Sequence, residues 1–274
     1  MQDTRLPRLS PSQFRRVRKL VHELCGIDLI PGKELLVQTR LAKRLRALGL
    51  RSFDEYLRWV ERDTTGRELS ELVDAITTNE TYFFRESQHF EYLRTSVLPA
   101  LRRRGLQIRI WSAGCSTGEE PFTIAMVLRE ELTEAECAAA RILATDISRR
   151  ALAKARAAVY TESEVRRIPP RLLRTYFTCI SAGPPRRYQA RESIRSMVRL
   201  ARLNLIDPWP MKGPFDVIFC RNVMIYFDKQ TQQRLVERFW ELLRPGGHLF
   251  VGHSESLSAL SHRFGYRRPA VYVK

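Results

Sequence analysis

The chain has 274 residues, 44% of them hydrophobic and 28% charged, with a formal net charge of +17. That length accommodates one large domain, or a small domain joined to a medium one, and no apolar run approaches the roughly 18 residues that a membrane span needs. The charge predicts a polyanionic partner, which can be nucleic acid, an acidic membrane surface or an acidic protein face, and composition does not choose among them. The N-terminus has no apolar segment followed by a small-residue cleavage site, so a cytoplasmic protein without direct membrane insertion is expected. Five cysteines, Cys25, Cys115, Cys137, Cys179 and Cys220, are odd in number and never form a C-x-x-C pair. With no H-E-x-x-H pattern either, neither a disulfide framework nor a metal site is expected.

Residues 1–76 read as a small all-helical N-terminal domain. "SPSQFRRVRKLVHELCG" opens with serine and proline, carries Phe14, Val17, Leu20, Val21 and Leu24 at helical spacing, and stops at Gly26. A second helix over 33–48 sets Leu41, Leu45 and Leu48 on one stripe, with Arg40, Lys43, Arg44 and Arg46 on the opposite side. Two shorter helices follow in "SFDEYLRWVERD" and "GRELSELVDAITT". The stretch 77–90, "TTNETYFFRE" and the residues just after it, fits neither a helix nor a strand period and reads as a linker.

From 91 to 274 short apolar strands alternate with helices: "LQIRIWSAG", "RILATD", "SMVRLARLNL", "FDVIFCRN" and "GHLFVGH". This alternation predicts a mostly parallel, doubly wound α/β sheet. The final "AVYVK" is β-branched and aromatic, follows "HLFVGH" through a loop, and is expected to pair with it antiparallel. "TCISAGPPRRYQARESIR", around 178–196, carries a Gly-Pro-Pro breaker and reads as a small β insertion.

The informative junction is "IRIWSAGCSTGEEPF", a strand that runs through Gly114 and a Ser-Thr-Gly turn into a helix opened by Glu119, Glu120 and Pro121. Gly114 is a candidate cofactor-binding position, because a glycine lets a ligand approach the backbone, although a glycine turn alone fits a nucleotide-type site and an ordinary strand-to-helix turn equally. Asp146 ends the next strand, where doubly wound folds place a ribose-hydroxyl ligand. Carboxylates at the helix start repel phosphates but suit a cationic ligand, such as the sulfonium and amino group of S-adenosylmethionine; they also simply complement the helix dipole. Arg221, Asn222 and Tyr226 follow the strand "FDVIFC" and fall over the crevice where such folds bind ligands, although Tyr226 reads equally as a core ring.

Four blocks, "TTNETYFFRE", "STGEEP", "FCRNVMIYFD" and "LFVGHSES", taken in order and at compatible spacing, resemble the CheR-type chemoreceptor glutamate O-methyltransferases of bacterial chemotaxis. The resemblance covers nearly the whole chain from about residue 12. It implies a Rossmann-like methyltransferase domain behind an all-helical domain, with S-adenosylmethionine as methyl donor and S-adenosylhomocysteine as product. Asn79, Thr81, Arg85, Glu120, Asp146, Asn204, Leu205, Arg221 and Asn222 would line the donor pocket, and Arg85 and Tyr226 would lie nearest the reacting methyl as catalytic groups. It further implies methylation of glutamates on the cytoplasmic helical bundle of chemoreceptors, recruitment to membrane-bound receptor arrays, and a receptor-facing role for Arg40, Lys43, Arg44 and Arg46. Family members that grip a receptor's C-terminal peptide carry a glycine-rich loop in the β insertion, whereas "CISAGPPRRYQ" has one glycine and two prolines, which speaks against peptide tethering here.

Two other readings compete. A nucleic-acid methyltransferase would suit the charge, but "DPWP" at 207–210 precedes the "FDVIFC" strand and does not end it as a base-methylation motif would, so nucleic acid is not the expected partner. A non-catalytic, donor-binding receptor module would have no use for both Arg85 and Tyr226.

Overall fold

The structure, a computed structural model, describes residues 8–77, 80–105 and 107–274. Chain contacts divide it into two compact units. One holds the residues up to 77 together with Tyr226–Asp228; the other holds the rest.

The first unit is built from α1 (Pro11–Cys25), α2 (Glu34–Leu48), α3 (Phe53–Arg62) and α4 (Arg67–Ile76). The start of α1 follows from its sequence: Ser10 and Gln13 form a reciprocal capping box, Pro11 occupies the first turn, and Gly26 closes the helix at φ 72°. Val17, Val21, Val37, Leu41, Leu45, Tyr56, Leu57 and Leu72 are buried together. The short segment from the other end of the chain joins this unit through a bridge between Ile27 and Phe227 and a bond from the Asp28 N–H to the Tyr226 carbonyl (2.8 Å).

The face of α2 opposite its leucines is not uniformly open. Arg44 donates to both oxygens of the buried Glu68 on α4 (2.7 and 2.6 Å) and lies 3.4 Å from Glu71, while Arg40 donates to the Ile76 carbonyl. Helix α4 lies along that side, so only Lys43 and Arg46 of the four cations remain exposed.

The second unit begins with α5 (Ser87–Tyr92), a π turn at Leu93–Val97 and α6 (Leu98–Arg103). Pro99 has no N–H to continue the ladder, and the Leu98 amide reaches back five residues to Leu93. The strands are β1 (Arg109–Ala113), β2 (Arg141–Asp146), β3 (Val159–Thr161), β4 (Phe177–Ser181), β5 (Arg187–Ala190), β6 (Val198–Arg202), β7 (Phe215–Cys220), β8 (Leu243–Val251), β9 (Gly265–Arg268) and β10 (Val271–Val273). Between them run α7 (Glu119–Glu131), α8 (Glu134–Ala139), α9 (Arg149–Ala157), α10 (Glu162–Val165), α11 (Pro170–Tyr176), α12 (Glu192–Arg195) and α13 (Lys229–Leu242).

The main sheet has the order β6-β2-β1-β7-β8-β10-β9, parallel from β6 through β8 and antiparallel beyond. Strand β7 is buried along its whole length, as a central strand covered on both faces must be. The final strand pairs antiparallel with β8 as expected from the sequence, but β9 intervenes in the chain and forms the outer edge. A separate three-stranded antiparallel sheet, β3-β5-β4, takes in Val159–Thr161 as well as the hairpin around the two prolines.

Candidate active site

Strand order reverses between β1 and β7, and the carboxyl ends of these two strands frame the crevice. Arg221 follows β7 directly. Its guanidinium, 2% exposed, lies 3.3 Å from Glu86 Oε2 and 3.4 Å from Glu120 Oε2, donates to the Arg85 carbonyl, and sits 5.3 Å from the centre of the Phe90 ring. Phe90, Phe219 and Phe250 form a stack under it, with centroids 6.0 and 4.4 Å apart. Glu120 also accepts from Ser112 Oγ (2.7 Å), a side chain supplied by β1.

Burial pushes the Glu120 carboxyl above the ordinary glutamate range; Arg221 and the Ser112 hydroxyl pull it back down without cancelling that effect. Two carboxylates, Glu86 and Glu120, flank the Arg221 guanidinium, and the charge on Arg85 also acts on Glu120.

Glu86 accepts from Asn222 Nδ2 and from the His253 backbone N–H, both at 3.3 Å. Glu255 gathers four backbone amides: Asn222 (2.7 Å), Val223 (2.9 Å), Ile225 (3.2 Å) and Gly252 (2.5 Å). It thereby ties the turn after β7 to the turn after β8 and holds Asn222 at φ 59°. His89 is buried beside Glu86, and burial, reinforced by the charge on Arg221, lowers its pKa to about 3, so the ring is neutral. Donor atoms of Glu86, His89 and His253 come within 4.8 Å of one another. The cation that Glu86 faces there is Arg221.

At the end of β2, Asp146 accepts from the Ser116 and Ser148 amides, one on each oxygen and both at 2.8 Å, and the Asp146 carbonyl accepts from the Leu203 N–H (3.0 Å). These bonds hold the carboxylate at the mouth of the crevice and bring the Asn204–Leu205 segment beside it. Gly114 is at φ 83°, and a Cβ there would lie 2.4 Å from Val223 Cγ2; the close approach at this glycine is made by Val223.

The residues singled out in the sequence separate into groups. Glu120, Arg221 and Asn222 share one network, with Asp146 and Asn204 at the next strand end. Glu119, adjacent to Glu120, turns the other way, is buried, and accepts from Thr117 Oγ1 (2.8 and 2.6 Å). Arg85 donates from its side chain to the Glu80 carbonyl (2.5 Å). Thr81 is half-buried, and Asn79 lies outside the described residues. Tyr226 belongs by its contacts to the helical unit, and Arg85 to the other. Of the rings in the opening stretch, Phe83 is fully buried, edge-on to Tyr160 and Phe177 at 4.9 and 5.5 Å, and Phe84 packs on Phe90. Sequence reasoning did not single out Glu86, Ser112 or Glu255 as site residues. For Ser112 the available signal was its place at the end of an apolar strand, as for Arg221; Glu86, just ahead of α5, and Glu255, beyond the turn after β8, carried no such signal.

A mostly parallel sheet with an antiparallel final pair, and a crevice with carboxylates at its strand ends, belongs to the S-adenosylmethionine-dependent methyltransferases. The model of the CheR methyltransferase SAM-binding domain matches residues 79–273, and that of the CheR methyltransferase all-alpha domain matches residues 12–77. The chain belongs to the CheR methyltransferase family, and is therefore an enzyme that uses S-adenosylmethionine. It is 41% identical over 266 residues to the chemotaxis protein methyltransferase of Escherichia coli K12, covering 97% of this chain and 91% of that one. Identity to the chemotaxis protein methyltransferase of Borreliella burgdorferi is 40% over 273 residues, covering 97% and 95%. Among solved structures, an S-adenosylmethionine-dependent methyltransferase from Mesorhizobium loti aligns at 21% identity and a TM-score of 0.31, over 56% of this chain and 51% of that one.

Proposed function

We propose that this enzyme methylates glutamate side-chain carboxylates on chemotaxis receptors, forming methyl esters that adjust receptor signalling. The observation that carries the reading is the match of both family domains along the chain, together with chemotaxis methyltransferases as near relatives over almost their full length.

The donor supplies an electrophilic methyl on sulfur. The residues of this chain bind and orient. Glu120, kept in place by Ser112 and Arg221, would take the donor's ammonium, and Asp146 the ribose hydroxyls. Asn204, Leu205, Arg221 and Asn222 would complete the pocket, with Asn79 and Thr81 as further donor-binding groups on the family resemblance. A glutamate with a pKa near 4.3 is already an anion at neutral pH, so the acceptor needs no general base. What it needs is in-line placement and removal of its hydration. Arg85 would hold one carboxylate oxygen by a charged hydrogen bond and leave the other to attack. Tyr226 is proposed as the second catalytic group on the family resemblance.

The receptor surface is proposed to be the cytoplasmic helical bundle, with Lys43 and Arg46 as the exposed cations of α2 that meet it, which would bring the enzyme to receptor arrays. Among the described residues no helix is long and apolar enough to cross a membrane. Labelled donor, incubated with receptor-bearing membranes and separately with nucleic acid, tests the reaction. Base-labile label on receptor protein is expected; base-stable label on nucleic acid, or donor binding without transfer, would overturn it.

A further inference from the structure

Residues 141–202 carry fifteen lysines and arginines against four carboxylates, a net +11 of the chain's +17. The donor crevice uses none of these cations. Three of them converge on one concave place: Arg156 from α9, Arg195 from α12 and Arg199 from the edge strand β6 rim a groove of about 360 Å³. Val198 and Leu200, both half-buried, lie between these cations, with the buried Phe122 and Ala155 beneath. Glu192 also lines it, 3.9 Å from Arg195.

Elsewhere in this region cations have partners: Lys154 pairs with Glu164, Arg171 with Glu130, and Arg167 lies 3.7 Å over the Tyr82 ring. Among the described residues the guanidiniums of Arg156 and Arg199 have none, as is also true of Arg166 and Arg187 outside the groove. Arg156 and Arg199 are both exposed.

We propose that this groove is a second ligand site, separate from the donor crevice, for a small soluble phosphate ester of the nucleoside phosphate class. Guanidiniums present planar paired donors that match phosphate oxygens two at a time. Three of them less one carboxylate leave about two positive charges, which suits a diphosphate better than a single carboxylate. The half-buried Val198 and Leu200 give a ring or sugar edge a small apolar surface to lie on, and the volume falls within the range of small-ligand sites, roughly 300–1,000 Å³. The inference rests on this groove alone and does not depend on which acceptor the enzyme methylates.

The test is calorimetric titration of ADP and of pyrophosphate into protein whose donor pocket is saturated with S-adenosylhomocysteine, so that adenosine recognition there does not contribute. Wild type is expected to bind with one site. Arg156→Gln with Arg199→Gln is expected to weaken binding at least about tenfold, because two charged hydrogen-bonding groups are lost. Arg166→Gln with Arg187→Gln removes the same charge outside the groove and is expected to change affinity less than about twofold. Unchanged thermal midpoints of the ligand-free variants show that folding is intact. No binding by wild type, or an equal loss in both double variants, overturns the site in favour of a diffuse basic field. Two further arms use phosphatidylglycerol vesicles and a polyglutamate peptide. Groove-dependent binding of either without ADP binding overturns the soluble-phosphate assignment.

Discussion

Glu119 and Glu120 are neighbours in sequence and alike in charge, yet only Glu120 enters the crevice, because successive helix residues point about 100° apart. No property of the pair in isolation distinguishes them. Arg221 was legible from the rule that polar groups at strand ends line the crevice. Glu86 and Glu255 were not, since their partners lie 136 and about 30 residues away in the chain. The raised pKa of Glu120 has a measurable consequence. If Glu120 takes the donor's ammonium as proposed, protonation removes the attracting charge, so donor affinity should be constant at higher pH and fall as pH drops through that raised value. The fall should begin at a higher pH than an ordinary glutamate, near 4.3, would produce. Glu120→Gln should bind weakly throughout and flatten the profile, read by titrating donor from about pH 8 to about pH 5. An equally sloped profile in the variant would remove Glu120 from this role. The proposed task of Arg85 predicts that Arg85→Ala loses most turnover in single-turnover assays, by about 10²-fold or more if orientation is what it supplies. Near wild-type rates would exclude it.

At the scale of elements, α1 through α4 and the parallel strands followed from period and caps. Strands β3 and β9 did not, because each is only three or four residues long and β9 faces solvent along most of its length, leaving no apolar alternation to detect. The basic stripe of α2 was visible, but the presence of α4 against part of it was not; a helix period does not say what packs beside it. Charge reversal at Arg44 would strand the buried Glu68 and cost about 1–3 kcal/mol, so receptor docking is better tested at Lys43 and Arg46. Lys43→Glu with Arg46→Glu should raise KM for receptor several-fold at low salt and leave donor affinity intact. Unchanged KM would place docking elsewhere. The turns after β1 and β7 interlock through Gly114 and Val223. Gly114→Ala should destabilise by about 2–4 kcal/mol, combining a left-handed backbone with overpacking. Adding Val223→Ala should recover the packing part and leave the backbone part, which chemical denaturation of the three variants would separate.

For the whole molecule, a single figure of +17 describes two different situations. Many cations are spent in pairs with carboxylates or against rings, and the excess collects in the region of α9 through β6. Composition announced the excess but not where it gathers. The five cysteines show the same difference between count and placement. All are free thiols; Cys25, Cys115, Cys137 and Cys220 are buried and Cys179 is exposed. Burial pushes the thiols of Cys115 and Cys220 far above the usual range, so the reactive thiolate is suppressed there. A thiol reagent under native conditions should therefore modify one group rapidly, and Cys179→Ser should abolish that phase; retention of the rapid phase in the variant would assign it to another cysteine.

The three residues that the helical unit takes from the far end of the chain bear on how such a protein can be recombined. Ile27 bridges to Phe227, the Asp28 amide bonds the Tyr226 carbonyl, and His22 Nε2 lies 2.6 Å from Asp228 Oδ2. A chimera that exchanged only the first 77 residues with those of a relative would inherit half of each of these contacts from one parent and half from the other. The helical region is thus not a self-contained cassette. Its heritable unit includes a tripeptide nearly 150 positions downstream, one member of which is the tyrosine proposed for catalysis, so specificity and chemistry would tend to be exchanged together or not at all.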